Sequence, residues 1–517
     1  MKNKASILVL SLLALLPSPG NSQNSTFSPY SRYGIGEPAQ TTFAHNTGMG
    51  GAHIALKPDS TMPIFINAGN PASYALIRLT SLEVGGGFLY SQFKGNNNSS
   101  LKKWGTNFTY AALGFPVRGN GGACFGVLPF SHVGYETKNT VEETNIGSVE
   151  YRYNGDGGLS KAFIGYGIMP FNKRFIKFRS RHLYVPDSLK TITHKQFMRR
   201  QVINKLVSDF SVGFNVNYIF GNIINSTRVI YPNSITYNNT YRERILTMGD
   251  FTGNFGAQTG ITTDSIKDYK GRKNRIANEM KALNALGVYS EEQLRSKRDS
   301  ISDATPLHRR ALRNKVKVTF GYFMTLNNSL NVKYSTGVYN YILNGFGQEI
   351  TSDTVIYDFE KKGTVRLPVE QGFGIGIKKG ERLNIVADVA ITDWQTFKYL
   401  DEVNDLKKNY RIAAGMNFVP EKYAAGRGAF LRKVNYRFGA SYQTGYIFLK
   451  DSYISDYSVS VGVGLPVGIG RLSSMVNISA QYGIMGSSDA SLIKQNYWRI
   501  NFGFTFCDRW FQKFRYD

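Results

Sequence analysis

Cysteine is nearly missing from the sequence. Two thiols, Cys124 and Cys507, stand among 517 residues, so this is not a small secreted scaffold held by disulfides. The strand spans read below put them on the third and fourteenth strands, three steps apart around a ring at about 4.8 Å per step. That exceeds the ~7 Å Cα separation a bridge tolerates. Histidine is sparse, at six, and no pair lies four apart beside a glutamate, which removes a zinc-protease helix. Gly-x-Ser-x-Gly does not occur. Gly372-Phe373-Gly374-Ile375-Gly376 and Gly462-Val463-Gly464 sit inside alternating stretches with no helix following, so neither is a nucleotide loop. No catalytic residue, metal site or cofactor is expected, and the chain is not read as an enzyme. Past residue 22 no apolar run reaches the ~18 residues of a spanning helix, which excludes a helical membrane protein.

Acids are outnumbered, 36 against 62 Lys and Arg, for a formal net charge of +26. In an exported chain this does not point to nucleic acid, and no nucleic-acid partner is expected. Export is read from Lys2 and Lys4, the apolar stretch Ala5 to Leu16, and the small residues Gly20-Asn21-Ser22, which together predict a signal peptide over 1–22.

What is plentiful is glycine, at 53, and Tyr and Phe, at 32 and 34. Both suit strands, turns and membrane-interface girdles. A mean hydropathy of -0.27 fits a wall that shows lipid only every second residue. The alternation is strongest near the end of the chain. Trp498, Ile500, Phe502, Phe504 and Phe506 alternate with Arg499, Asn501, Gly503 and Thr505. Tyr457 to Leu465, Val476 to Ile484, Phe210 to Phe220 and Leu383 to Ile391 repeat the pattern. A period of two puts alternate side chains on opposite faces. The uncharged apolar face and strand lengths of about 10 residues favour a membrane wall over a soluble sandwich.

Fourteen strands are read, at 82–93, 104–115, 121–136, 149–170, 209–224, 242–260, 316–340, 366–378, 383–397, 409–418, 434–449, 455–465, 472–485 and 496–506. The stretch 316–340 is kept as one strand, although Asn327-Asn328 could be a turn. The expected fold is all-β: a 14-stranded antiparallel transmembrane β-barrel with an N-terminal plug and a helical periplasmic insert. Barrel residues span 82–517, and the location is a bacterial outer membrane, with outer-membrane lipid as one partner. Asp388 and Arg499 face the lumen in this register.

Two connections break the short-turn rule. Residues 171–208 hold ten Lys and Arg against Asp187, a net of +9, and 261–315 hold thirteen against seven acids, a net of +6. Helices are read over Asn274 to Leu286, ending at Gly287, and from Ser290-Glu291-Glu292 onward. Strand parity makes both inserts periplasmic. They are either a docking surface for anionic periplasmic or outer-membrane protein partners, with Lys173, Arg174, Lys177, Arg179, Arg181, Arg199 and Arg200 as candidates, or solvated loops.

Residues 23–81 are rich in Gly, Pro, Asn and Ser and do not read as membrane strands. They form either a tail or a plug, and fourteen strands enclose room for one. Gly48-Met49-Gly50-Gly51-Ala52, Asp59 and Asn70-Pro71-Ala72 before the first strand resemble the N-terminal region of the FadL-type (OmpP1-like) long-chain fatty-acid transporter family. Ser28-Pro29-Tyr30-Ser31-Arg32-Tyr33-Gly34 and Arg509-Trp510-Phe511-Gln512-Lys513 resemble its Bacteroidetes branch. The resemblance implies a hatch containing Gly48, Gly50, Gly51, Asn70, Pro71 and Ala72. It also implies passive uptake of hydrophobic small molecules through that hatch and a lateral opening in the wall. Some branches are instead non-transporting partners in secretion or barrel-assembly complexes, and the basic inserts depart from a simple transporter.

Overall fold

Fourteen antiparallel strands close into a barrel in the computed structural model, which describes residues 26–508 apart from 59–64, 96–99, 172–202, 232–236, 263–315 and isolated positions in other loops. The strands are β1 Thr80–Lys94, β2 Ser100–Val117, β3 Gly121–Glu143, β4 Gly147–Ile168, β5 Ser211–Ile230, β6 Asn239–Thr262, β7 Val316–Thr325 continued by Ser329–Leu343, and β8 Glu349–Arg366 continued by Val369–Lys379. They go on with β9 Leu383–Asp393, β10 Asn409–Phe418, β11 Asn435–Gln443, β12 Ser455–Ile469, β13 Leu472–Gly486 and β14 Lys494–Asp508. The ring closes where β14 pairs β1, from Thr80↔Asp508 to Lys94↔Lys494.

The alternation sets which face meets what. On β14 Trp498, Phe502 and Phe504 are exposed, while Asn501 and Thr505 are buried inside. Outward aromatics pair across strands as Phe88–Trp104, Tyr218–Phe251, Tyr322–Phe373, Tyr442–Tyr457 and Tyr482–Trp498, with centroids 4.7–6.3 Å apart. Such rings sit at the boundary of a hydrocarbon layer. Among the described residues no helix is long and apolar enough to cross a membrane.

The break at Asn327-Asn328 is not a hairpin. Both halves of β7 run in one direction along β6, the first on Asn254 to Thr262 and the second on Asn239 to Met248. The eighth strand starts at Glu349 rather than 366. Its first part is exposed on both faces, so it carries no period of two from which to read it. The ninth strand stops at Asp393, where a short helical turn, Trp394–Thr396, leaves the wall. The eleventh stops at Gln443. Neither thiol is part of a disulfide. The signal peptide, the bulk of both basic inserts and their helices lie outside the described residues.

The wall is uneven. β3 to β6 have 23, 22, 20 and 24 residues, while β9 to β11 have 11, 10 and 9. A tilted strand needs about 9–11 residues to span a bilayer, so the long strands rise beyond it. They rise at the end opposite the 118–120, 380–382 and 470–471 connections. The ends of both basic inserts share the side of those short connections.

Candidate functional site

Residues before β1 run inside the wall and are held by polar side chains that point inward from the strands. Asp388 Oδ2 accepts the backbone N–H groups of His53 at 2.5 Å and Ile54 at 2.7 Å. Asn70, itself one of the inner residues, donates to the carbonyls of Ile54 at 2.8 Å and of Tyr322 in the wall at 3.2 Å, and accepts from Ala72 N at 3.1 Å. That last bond caps the short helical turn Pro71–Leu76. Gln258 donates to Ile54 O at 2.8 Å, and Ile66 N donates to Glu83 at 2.6 Å. A backbone with no strand partner needs such acceptors and donors when it is buried. The barrel supplies them from the alternate positions that face its lumen.

Glycine permits the contact at two places. Gly50 has φ +67, in the left-handed region, and its N–H donates to Ser460 Oγ at 2.9 Å. Opposite it on β11, a Cβ at Gly439 would lie 2.1 Å from the backbone of Met49 and Gly50. Arg411 donates to the carbonyls of Gly50 and Gly51, both at 3.1 Å. Gly48 packs on Gly462, while Pro71 and Ala72 pack on Gly213. Burial holds the His45 and His53 imidazoles below their ordinary value. For His53 this outweighs the opposing pull of Asp388.

The wall opens between β2 and β3. Their ladder runs only from Val117↔Gly121 to Ala111↔Val127. Beyond it Ser100 to Tyr110 pair with β1 alone, while β3 stays on β4 up to Glu143. Pro129 has no N–H to donate, and a register shift follows it at Ser131, so β3 bends away there. The freed edge of β3 is met from inside by Glu37–Pro38, which pair with His132 and Ser131. Ala39 N donates to Phe130 O at 3.0 Å. A cavity of about 70 Å³ lies in this window, against Phe88, Phe108, Tyr110, Asn107 and Arg499.

A larger cavity of about 200 Å³ lies between the inner residues Ile35, Gln40 and His53 and the wall. Phe130, Phe323, Leu326, Leu367 and Trp394 line it together with Lys161, Glu370 and Arg411. Its surroundings are thus mixed rather than wholly apolar. Toward the tall side, Trp394, Phe397, Tyr446 and Ile447 join Tyr30, Ile35, Leu159, Ile219 and Met248 in one buried cluster. Trp394 and Tyr446 stack with centroids 4.2 Å apart, and Tyr446 Oη donates to Gly36 O at 3.0 Å.

Arg499 lies 3.8 Å from Glu37 and donates to Gln481 at 3.4 Å. Asp388 and the six glycine, asparagine, proline and alanine positions named above meet along the inner residues, away from Arg499. Lys173, Arg174, Lys177, Arg179, Arg181, Arg199 and Arg200 lie outside the described residues. Sequence reasoning passed over Lys161, Glu370 and Arg411. A lone charge at an inward position of an otherwise uncharged strand is the available signal, and Arg411 carries it. Nothing in the loop sequences marks Trp394 and Tyr446 as neighbours.

The family model for BamG matches residues 1–179 and 273–517. No curated protein matches the chain in sequence. Solved structures that resemble it include the Ralstonia pickettii toluene transporter TbuX, at 11% identity and a TM-score of 0.45 over 90% of this chain and 98% of that one. A Pseudomonas aeruginosa FadL homologue has 11% identity and a TM-score of 0.46, over 91% and 98%. The P. putida toluene transporter TodX has 11% and 0.45, over 92% and 100%.

Proposed function

The chain belongs to the BamG family, and from that premise we propose that it is a bacterial outer-membrane channel for passive uptake of hydrophobic small molecules, which leave sideways through the window between β2 and β3. The observation that carries this reading is the unzipped ladder above Ala111↔Val127. In hydrocarbon an open strand edge costs several kcal/mol for each unsatisfied backbone group. It persists only where it borders a cavity, as this one does. Apolar solutes partition into the bilayer at about 25 cal/mol per Å² of surface removed from water, so no energy source is needed. Residues 26–58 and 65–79 act as the hatch: they lie in the lumen and leave the 200 Å³ cavity as a waiting site beside the window. Entry requires the Trp394–Tyr446 stack to part.

Uptake of toluene into proteoliposomes tests this. The wild-type protein is expected to speed entry over protein-free vesicles, and Thr109→Trp, which fills the window, to abolish the gain. Equal rates with and without protein would end the reading.

A second reading is favoured by the closed mouth and the basic inserts: a non-transporting barrel subunit of a secretion or barrel-assembly complex. It predicts stoichiometric partners in mild detergent, lost on deletion of 173–202. A protein that purifies alone with or without those residues rules it out.

A further inference from the structure

Three parts of the chain meet on one carboxylate at the end of the barrel that carries the short connections. Lys57, two residues before 59–64, places its ammonium 2.9 Å from Asp209 Oδ2 and 2.5 Å from the Asp209 carbonyl. Asp209 closes the first basic insert, two residues before β5 begins. Lys317, at the start of β7 just past the second insert, reaches the same carboxylate at 3.1 Å from Oδ1 and 3.0 Å from Oδ2. Thr259 of β6 fixes the same root by donating to Leu206 O at 2.7 Å.

The three charges are not equivalent. The Lys57 side chain is 3% exposed, against 23% for Asp209 and 24% for Lys317. A solvent-exposed pair contributes little. A buried cation that loses its carboxylate is strongly destabilising, because the charge must stay uncompensated or move out to water.

We propose that Asp209 is a clasp that keeps the inner segment seated and ties it to the roots of both basic inserts, so that the segment is released from the insert end of the barrel. This goes beyond the uptake reading and does not need it. A barrel that conducts nothing uses the same clasp to hide or free its inner residues. The bonds to Asp388, Tyr322 and Glu83 hold the middle of the segment, the Tyr446 and Ile493 contacts hold its tall end, and Asp209 joins it to the insert roots at the opposite end.

The protein contains its own reporter. Cys124 is fully buried and packs with Ile66, Ala68, Tyr74 and Ile77 of the inner segment, so release exposes its thiol. In a Cys507→Ser background in nanodiscs, the labelling rate of Cys124 by a maleimide dye reads seating. Heat-modified gel migration reads the barrel itself.

Asp209→Asn is expected to label at least tenfold faster with unchanged migration. Lys57→Met, which removes the buried charge while filling its place, is expected to give a smaller rise. The double variant is expected to be no faster than Asp209→Asn, since both changes break one link. Parent-like labelling in Asp209→Asn overturns the proposal, as do single effects that simply multiply in the double variant. Should Asp209→Asn not yield a folded barrel, Lys57→Met decides, and labelling at the parent's rate overturns it.

Discussion

Asp388 Oδ2 receives the backbone N–H of Ile54 at 2.7 Å while Asp388 Oδ1 has no partner among the described residues, so a half-used carboxylate in the middle of β9 holds a turn of the inner segment. It also takes the His53 N–H. Asp388→Ala leaves two buried donors unpaired, at about 1–3 kcal/mol each. Asp388→Asn keeps an oxygen in place and is expected to cost about 1 kcal/mol. The measurement is limited proteolysis of residues 43–57 in detergent, with fast cleavage in the alanine variant and slow cleavage in the asparagine one. Equal protection in wild type and Asp388→Ala would show that the segment is held elsewhere.

Gly439 is expected to be intolerant of the smallest side chain. Its missing Cβ leaves the space that the Met49–Gly50 backbone occupies, and backbone cannot rotate aside as a side-chain tip can. Gly439→Ala should cost about 1–3 kcal/mol as overpacking and loosen the 46–52 turn. The control is Ser441→Ala, one inward position further along β11, where the serine pairs with Ser458 at 2.7 Å. It should lose only about 1 kcal/mol. Thermal midpoints followed by heat-modified migration separate the two.

Legibility in the sequence followed the physics of each part. The barrel was legible because lipid on one face and polar lumen on the other force a period of two, as Trp498 to Phe506 displays. Strand seven was kept whole across Asn327-Asn328 because a turn there would give fifteen strands, an odd number for such a barrel, while the inward phase shifts from Thr319 and Phe323 to Leu330 and Val332 across the break. The first part of β8 was not, since Glu349 to Gly363 meets water on both faces and nothing constrains alternate residues. The contacts of Asp388 with His53 and Ile54 join residues more than 330 positions apart, and only ring closure brings them together. Arg499 was read as inward, but its neighbour Glu37 belongs to the inner segment and no strand pattern predicts that meeting. The window lies at Pro129, inside the span 121–136 that was read as one unbroken strand, and only the missing β2–β3 ladder reveals it.

In the uptake reading the stacked Trp394 and Tyr446 rings are the barrier on the tall side. Trp394→Ala removes a large buried ring, at about 3–5 kcal/mol, and takes away the partner that holds the Tyr446 loop. Solute flux in planar bilayers or vesicles should then rise, since the mouth loses its cover while the wall stays intact. Tyr446→Phe keeps the stack and loses only the bond to Gly36 O, about 1 kcal/mol, and should leave flux close to wild type. A Trp394→Ala protein with unchanged flux would place the barrier deeper, at the inner segment.

Seating should weaken in acid, and the sign follows from burial. His45 sits 3.7 Å from Glu83 with Arg437 as a nearby charge, and His53 faces Asp388, Arg411 and Glu370. Both rings are held below the ordinary 6.5, so the seated state binds fewer protons than the released one. Stability from this source is therefore fully present above about pH 6.5 and is lost as pH falls below it toward the depressed values. Protonation of either ring inside the barrel would leave a cation among Phe43, Phe65 or Phe323, whereas release lets it reach water. Cys124 labelling, with the intrinsic pH dependence of the reagent divided out on a free thiol, should accelerate between about pH 6.5 and 5. His45→Gln with His53→Gln should flatten that rise, because neither replacement titrates. A rise of the same size in the double variant would assign the acid response to the carboxylates instead.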